Sequence, residues 1–254
     1  VDLQVSEVTL VALLLGTVRA AGFILTAPPF NNKAIPSSVK GALATMLGLV
    51  VMPDLAETMP VVTASFLLVS VVTELAVGAA LGFIVQLLFT AVQTAGDILD
   101  VTGGFSLQPA YDPLAMTMNS TIGRLHYLLA TTLLFTSGAH LVLVRGFVLS
   151  YRGLPLGGGL PTDQLADVLI TSFSMMFLAA LQIAGPLVAV LLLSDVALGI
   201  LSRAAPAMQL FNLNFPVKIL VVLVLLGLTF PLLPPALSTL IEAATRAMLS
   251  LSSG

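Results

Sequence analysis

The sequence predicts a membrane protein built from long apolar helices, and three observations lead there. Of 254 residues, 58% are hydrophobic and only 8% are charged, whereas a soluble domain carries about 25% charged residues. Mean hydropathy is +1.11. Six apolar segments, near 8–30, 41–53, 61–93, 122–149, 168–201 and 217–237, account for most of the chain; about 20 residues cross a bilayer core as a helix. Too few charges remain to cover a water-facing surface. A net charge of -3 and a pI near 5.2 argue against nucleic acid as a partner, because that needs a basic stripe. There is no cysteine, which removes disulfides, thiolate nucleophiles and cysteine metal sites. The N-terminus shows neither the basic region nor the A-x-A-like site of a cleaved signal peptide, so its apolar run is expected to persist.

The first segment carries Arg19 near its centre. A central arginine costs about 2.5–3.5 kcal/mol on insertion scales and therefore faces a partner or water. Ala27-Pro28-Pro29-Phe30-Asn31-Asn32 stops this helix. Ser37 or Ser38 can cap the second segment, which is too short to span alone and pairs with the first as a hairpin. Asp54, Glu57 and Pro60 form the next turn.

The third segment is too long: about 50 Å as one helix at 1.5 Å per residue, against a core of about 30 Å. It must tilt, break or project beyond lipid. Glu74, Gly78, Gly82 and Gln86 recur every four residues, with Thr90, Gln93 and Asp97 extending the series, so one face is small or polar. Gly78 and Gly82 form a G-x-x-x-G that permits close helix approach. The whole stripe reads as a buried protein–protein face, although the motif alone is also expected by chance in a Gly/Ala-rich segment.

From Gly96 to Thr121 the hydrocarbon pattern is interrupted by Asp97, Asp100, Gly103, Gly104, Pro109, Tyr111, Asp112 and Pro113. The two prolines forbid a regular helix across its middle, and irregular backbone cannot face lipid. The segment therefore lies outside the bilayer, is enclosed by protein, or lines a watery cavity. The fourth segment, bounded by Arg124 and Arg145, places His126 and His140 on nearly one face but too far apart for a metal pair. A Gly-rich turn follows, and Thr162 or Asp163 can cap the fifth segment. That segment breaks at Gly185-Pro186 and ends at Ser202-Arg203-Ala204-Ala205-Pro206. Lys218 opens the sixth, where it can snorkel or pair with Asp195 or Glu74. Pro231, Pro234 and Pro235 end it, and a short amphipathic turn with Glu242 and Arg246 closes the chain. Basic residues are scattered over connections that cannot all be cytoplasmic, so the positive-inside rule yields no coherent topology.

Several motifs, in this order, resemble the FliR/SctT family of type III secretion export-gate subunits. They are Arg19-Ala20-Ala21-Gly22-Phe23 with Pro28-Pro29-Phe30, and Ile35-Pro36-Ser37-Ser38-Val39-Lys40. Glu74 with Gly78 and Gly82-Phe83, Gly96 through Gly103-Gly104, Asp112-Pro113 and Gly138-Ala139-His140 continue the series. Ser150-Tyr151 with Leu154-Pro155-Leu156-Gly157, Arg203-Ala204-Ala205-Pro206, Phe211-Asn212 and Phe215-Pro216-Val217-Lys218-Ile219 complete it. Ala207, where glutamine is expected, and Asn31-Asn32, in place of an expected glycine, depart from the pattern.

The resemblance implies an all-α, membrane-associated fold of bent helical hairpins. About residues 1–165 would be FliP-like and about 166–254 FliQ-like, with Phe215-Pro216-Val217-Lys218 similar to the Pro-Lys bend of FliQ. It implies a non-enzymatic subunit without cofactor or metal, joined to several FliP and FliQ copies and working with FlhA and FlhB. This complex would sit in the bacterial inner membrane at the flagellar basal body, partly beyond the bilayer plane, as the channel for unfolded flagellar proteins. The injectisome gate is the alternative; the Val39-Lys40 and His140 motifs look flagellar.

The resemblance also implies that Gly103 to Met118 is a plug: Gly103 and Gly104 let the backbone fold tightly, and Phe105, Leu107, Tyr111, Met116 and Met118 make a deformable apolar seal. Ser106, Pro109, Asp112 and Pro113 belong to the same loop. Arg19, Glu74, Asp195, Arg203 and Lys218 are expected to make intersubunit or interhelical pairs, and Lys40 is grouped with them as an assembly residue. Two other classes compete. An ion-coupled transporter would use Glu74, Asp97 and Asp195, but the chain shows no internal repeat. A hydrolase would pair Ser106 with His140, without any activating motif.

Overall fold

The computed structural model describes residues 6–105, 120–157, 162–204 and 210–251. Among the described residues the chain is helical and holds no strand. The helices are α1 (Glu7–Thr26), α2 (Ser37–Glu57), α3 (Ala64–Thr102), α4 (Thr121–Thr136), α5 (Ala139–Gly153), α6 (Thr162–Ala204), α7 (Leu210–Thr229) and α8 (Leu233–Ser250), with a 3-10 turn at Phe230–Leu232.

Most element boundaries follow local chemistry. Ser6 starts α1, its Oγ accepting from Thr9 N, and Ala27 in extended conformation ends it just before Pro28-Pro29. The N-cap of α2 is Pro36 and makes no side-chain bond, so neither Ser37 nor Ser38 caps it. Helix α2 also runs on through Pro53 to Glu57 and is 21 residues long, long enough to cross a membrane; Asp54 and Glu57 belong to its last turns and not to a loop. It packs along α1 as the expected hairpin.

Helix α3 is unbroken over 39 residues, about 58 Å, and it carries Asp97 and Asp100 inside it. The irregular segment therefore begins at Gly103 and not at Gly96. The fourth apolar segment is two helices. Ser137 ends α4, and Gly138 at φ 73° turns the chain before α5 begins at Ala139. His126 and His140 consequently lie on different helices. Helix α6 passes through Gly185-Pro186 without a break over 43 residues, and α7 passes through Pro216. The closing amphipathic turn is a helix of 18 residues, α8. Among the described residues five helical stretches (α1, α2, α3, α6 and Pro216–Ser250) are long and apolar enough to cross a membrane, or six if α4 and α5 are one bent span.

The chain forms two compact units. The first contains described residues of 1–88, 138–174 and 241–254. Its core joins Leu15 and Phe23 of α1, Val51 and Leu55 of α2, Leu143 and Phe147 of α5 and Met248 of α8. Phe23 stacks on Phe147 with ring centroids 4.6 Å apart. The second unit contains described residues of 89–137 and 175–240. There Leu99, Ile122, Leu187, Leu191, Val222 and Leu226 bring α3, α4, α6 and α7 together, with Phe105 against them.

Candidate functional site

Two polar sites stand out in this apolar frame, one in each unit. The first is built around Arg19, which is 1% exposed. Its Nε donates to Glu74 Oε2 at 2.5 Å, Nη1 to the Ser150 carbonyl at 3.4 Å and Nη2 to the Leu154 carbonyl at 2.8 Å. Its guanidinium also lies 4.2 Å from the centre of the Tyr151 ring, and the Tyr151 hydroxyl donates back to the Gly16 carbonyl at 2.7 Å. One guanidinium thus joins α1 to α3 and supplies donors to two carbonyls at the C-terminal end of α5, where positive charge is favoured. Breaking a buried pair of this kind costs about 3–5 kcal/mol.

The small-residue stripe of α3 brings α1 to that charge. A Cβ at Gly78 would collide with the Arg19 backbone, and one at Gly82 with the Phe23 carbonyl and Ala27 N. On the opposing helix, a Cβ at Gly22 would lie 2.5 Å from the Leu75 carbonyl and 2.9 Å from Ala79 N. The Glu74-Gly78-Gly82 face is therefore buried against α1 of the same chain and not against another subunit. Further along, Gln86 and Gln93 are exposed.

The second site is the meeting of the α3 end with the α4 start. Gly96 approaches Gly123 so closely that a Cβ on Gly96 would lie 2.6 Å from the Gly123 Cα. Ser120 Oγ accepts from Gly123 N at 2.8 Å as the N-cap of α4, and buried Asp100 accepts from Ile122 N at 3.5 Å. Carboxylates at a helix N-terminus complement its dipole. Gly103 packs on Val222 and Phe105, so the chain enters its central segment from a core position. Gly104 follows at φ 85°, a conformation that favours glycine. Ser106, Leu107, Pro109, Tyr111, Asp112, Pro113, Met116 and Met118 lie outside the described residues.

Of the other charges, Lys218 reaches Asp195 Oδ1 at 2.6 Å between α7 and α6, which leaves Glu74 to Arg19. Lys40 donates to Asn31 Oδ1 at 3.3 Å in an exposed position, and Arg203 is exposed in the last turn of α6. Sequence reasoning missed Tyr151 and the carbonyls of Ser150 and Leu154 as the remaining partners of Arg19, although Ser150-Tyr151 and Leu154 stand in the motif series. It also missed the packing roles of Gly22, which stands in the motif series without a role, and of Gly123, whose signal is a small residue opposite another.

Long apolar helices, intrachain ion pairs and glycine-mediated helix contacts together define an all-α membrane protein. The family described as bacterial export proteins, family 1, matches residues 10–244. The chain belongs to that family, which is the FliR/SctT family. It is similar to flagellar biosynthetic protein FliR of Escherichia coli K12, 34% identical over 219 residues, covering 86% of this chain and 84% of that protein. FliR of Bacillus subtilis is 29% identical, over 85% of this chain and 84% of the relative. Yop proteins translocation protein T of Yersinia pestis is 28% identical, over 81% and 80%.

Proposed function

We propose that this chain is a subunit of a flagellar type III protein export gate. It assembles with several FliP and FliQ copies, alongside FlhA and FlhB, to form the channel for unfolded flagellar proteins in the bacterial inner membrane. The observation that carries the reading is the family match over residues 10–244, together with relatives named FliR that align over 84% of their own length. The lengths of α3 and α6, about 58 and 64 Å, exceed a bilayer core of about 30 Å and support a subunit projecting beyond lipid. The Yersinia relative supports an injectisome gate as second reading. The transporter reading is weakened because Glu74 and Asp195, two of its three carboxylates, are engaged by Arg19 and Lys218.

Within this function, Gly103 to Met118 is the plug that closes the channel at rest, and its entry at Gly103 and Phe105 is supported by the α3–α7 core. The subunit role is separable from chemistry: it needs shape and a seal, with no catalytic group. The test is complementation of a flagellated strain lacking its own FliR. The intact chain restores motility, and a deletion within Phe105–Met116 makes the membrane leak ions while the chain is still produced. Unchanged closure and export with that deletion would remove the plug; failure of the intact chain to support any export would remove the flagellar reading.

A further inference from the structure

Two buried side-chain atoms where α3 meets α4 make no hydrogen bond: Asp97 Oδ1 and His126 Nε2. His126 is fully buried at 0% exposure. Its Nδ1 lies 3.0 Å from the Ile122 carbonyl, and a carbonyl only accepts, so Nδ1 carries the proton. In the neutral ring Nε2 is then an acceptor, and an ionised Asp97 is an acceptor too. The two belong to one place. Gly123 lies on the same face of α4 as His126, one turn earlier, and Asp97 Oδ1 is the nearest atom to where a Gly123 Cβ would stand. Asp97 also lies within electrostatic range of the ring. They do not pair directly: among the described residues no carboxylate forms an ion pair with that ring.

We propose that a water molecule is bound between Asp97 Oδ1 and His126 Nε2, donating one hydrogen to each, and that this site ties the end of α3 to the start of α4. Buried acceptors without a donor are costly, and buried waters characteristically satisfy such groups. A metal ion is a poor occupant: among the described residues no group of three or more His, Asp or Glu side chains is placed to hold one. An imidazolium is a poor solution as well, because a fully buried charge requires a carboxylate in contact. With Asp100 on Ile122 N and Ser120 on Gly123 N, the bridged contact makes Asp97 and His126 positioning residues for the two ends of the segment between Phe105 and Ser120. The inference stands on α3 and α4 alone and does not depend on an export role.

The test begins with the ring itself. The chain has two histidines, so a His140→Asn variant labelled with 15N-histidine and extracted with whatever partners it retains reports on His126 alone. The expected spectrum at neutral pH shows Nδ1 protonated and Nε2 unprotonated but shifted as a hydrogen-bonded acceptor. A protonated Nε2, or an Nε2 with the shift of an unbonded nitrogen, would overturn the site. A double-variant cycle gives a second reading. Asp97→Leu and His126→Phe each lower the melting temperature, and the double variant loses no more than the worse single, because both atoms share one bridge. Additive losses would contradict a shared water.

Discussion

Glu74 and Asp97 are carried by the same helix yet meet burial in different ways. Glu74, 2% exposed, is answered by a full countercharge on Arg19, whose remaining donors go to the carbonyls of Ser150 and Leu154. Asp97 and its neighbour Asp100 face the N-terminus of α4, where partial charges, a Ser120 cap and a glycine contact replace an ion pair. The first arrangement binds three helices through one residue and fails as a whole when that residue is removed. The second spreads smaller contacts over several residues and loses them singly. That contrast suits a fixed frame in one unit and, in the other, a junction from which the central segment departs.

The Arg19 arrangement is the more sensitive of the two to a single substitution. Arg19→Ala leaves Glu74 buried and uncompensated, and a loss of about 3–5 kcal/mol is expected, read as a collapse in extracted, folded protein. Arg19→Leu combined with Glu74→Leu recovers part of that loss, but not all, because the Leu154 carbonyl loses its guanidinium donor, while the Ser150 carbonyl keeps Leu154 N. Next in size, Gly22→Val drives a side chain into the Leu75 carbonyl, and overpacking of this kind costs about 1–3 kcal/mol; the melting temperature of the detergent-extracted protein checks it. At the junction, Ser120→Ala removes one cap and costs about 1 kcal/mol, visible as faster amide exchange in the first turn of α4. Smallest is Lys218→Met. Its partner Asp195 has a side chain 41% exposed, so solvent screens the pair, and the change in stability is within about 1 kcal/mol.

Much of this frame was legible in the sequence. Pro28-Pro29 marked the end of α1, the central arginine demanded a partner, and the four-residue recurrence from Glu74 to Gly82 marked the face that meets α1. What the sequence left open was which surface that face meets, because a small stripe packs equally well on a helix of its own chain or of another. Proline misled at Gly185-Pro186, where a break is expected and none is found. Pro53, Pro186 and Pro216 lie inside helices, since in apolar surroundings a helix keeps its remaining bonds and neighbours absorb the lost one. Glycine misled in the opposite direction: Gly138 looked like part of an apolar run, yet at positive φ it separates α4 from α5. The helical setting of Asp100 was hidden by its polarity, which reads as loop until the facing α4 terminus is known, whereas Asp97 already extended the polar stripe of the third segment.

The proposed gate role predicts that this chain works as one subunit of a hetero-oligomer. Co-expression with FliP and FliQ, affinity purification on this chain and native mass determination test it most directly. The expected result is a stable complex holding one copy of this chain with several copies of both partners; a stable lone subunit or homodimer that retains neither would contradict it.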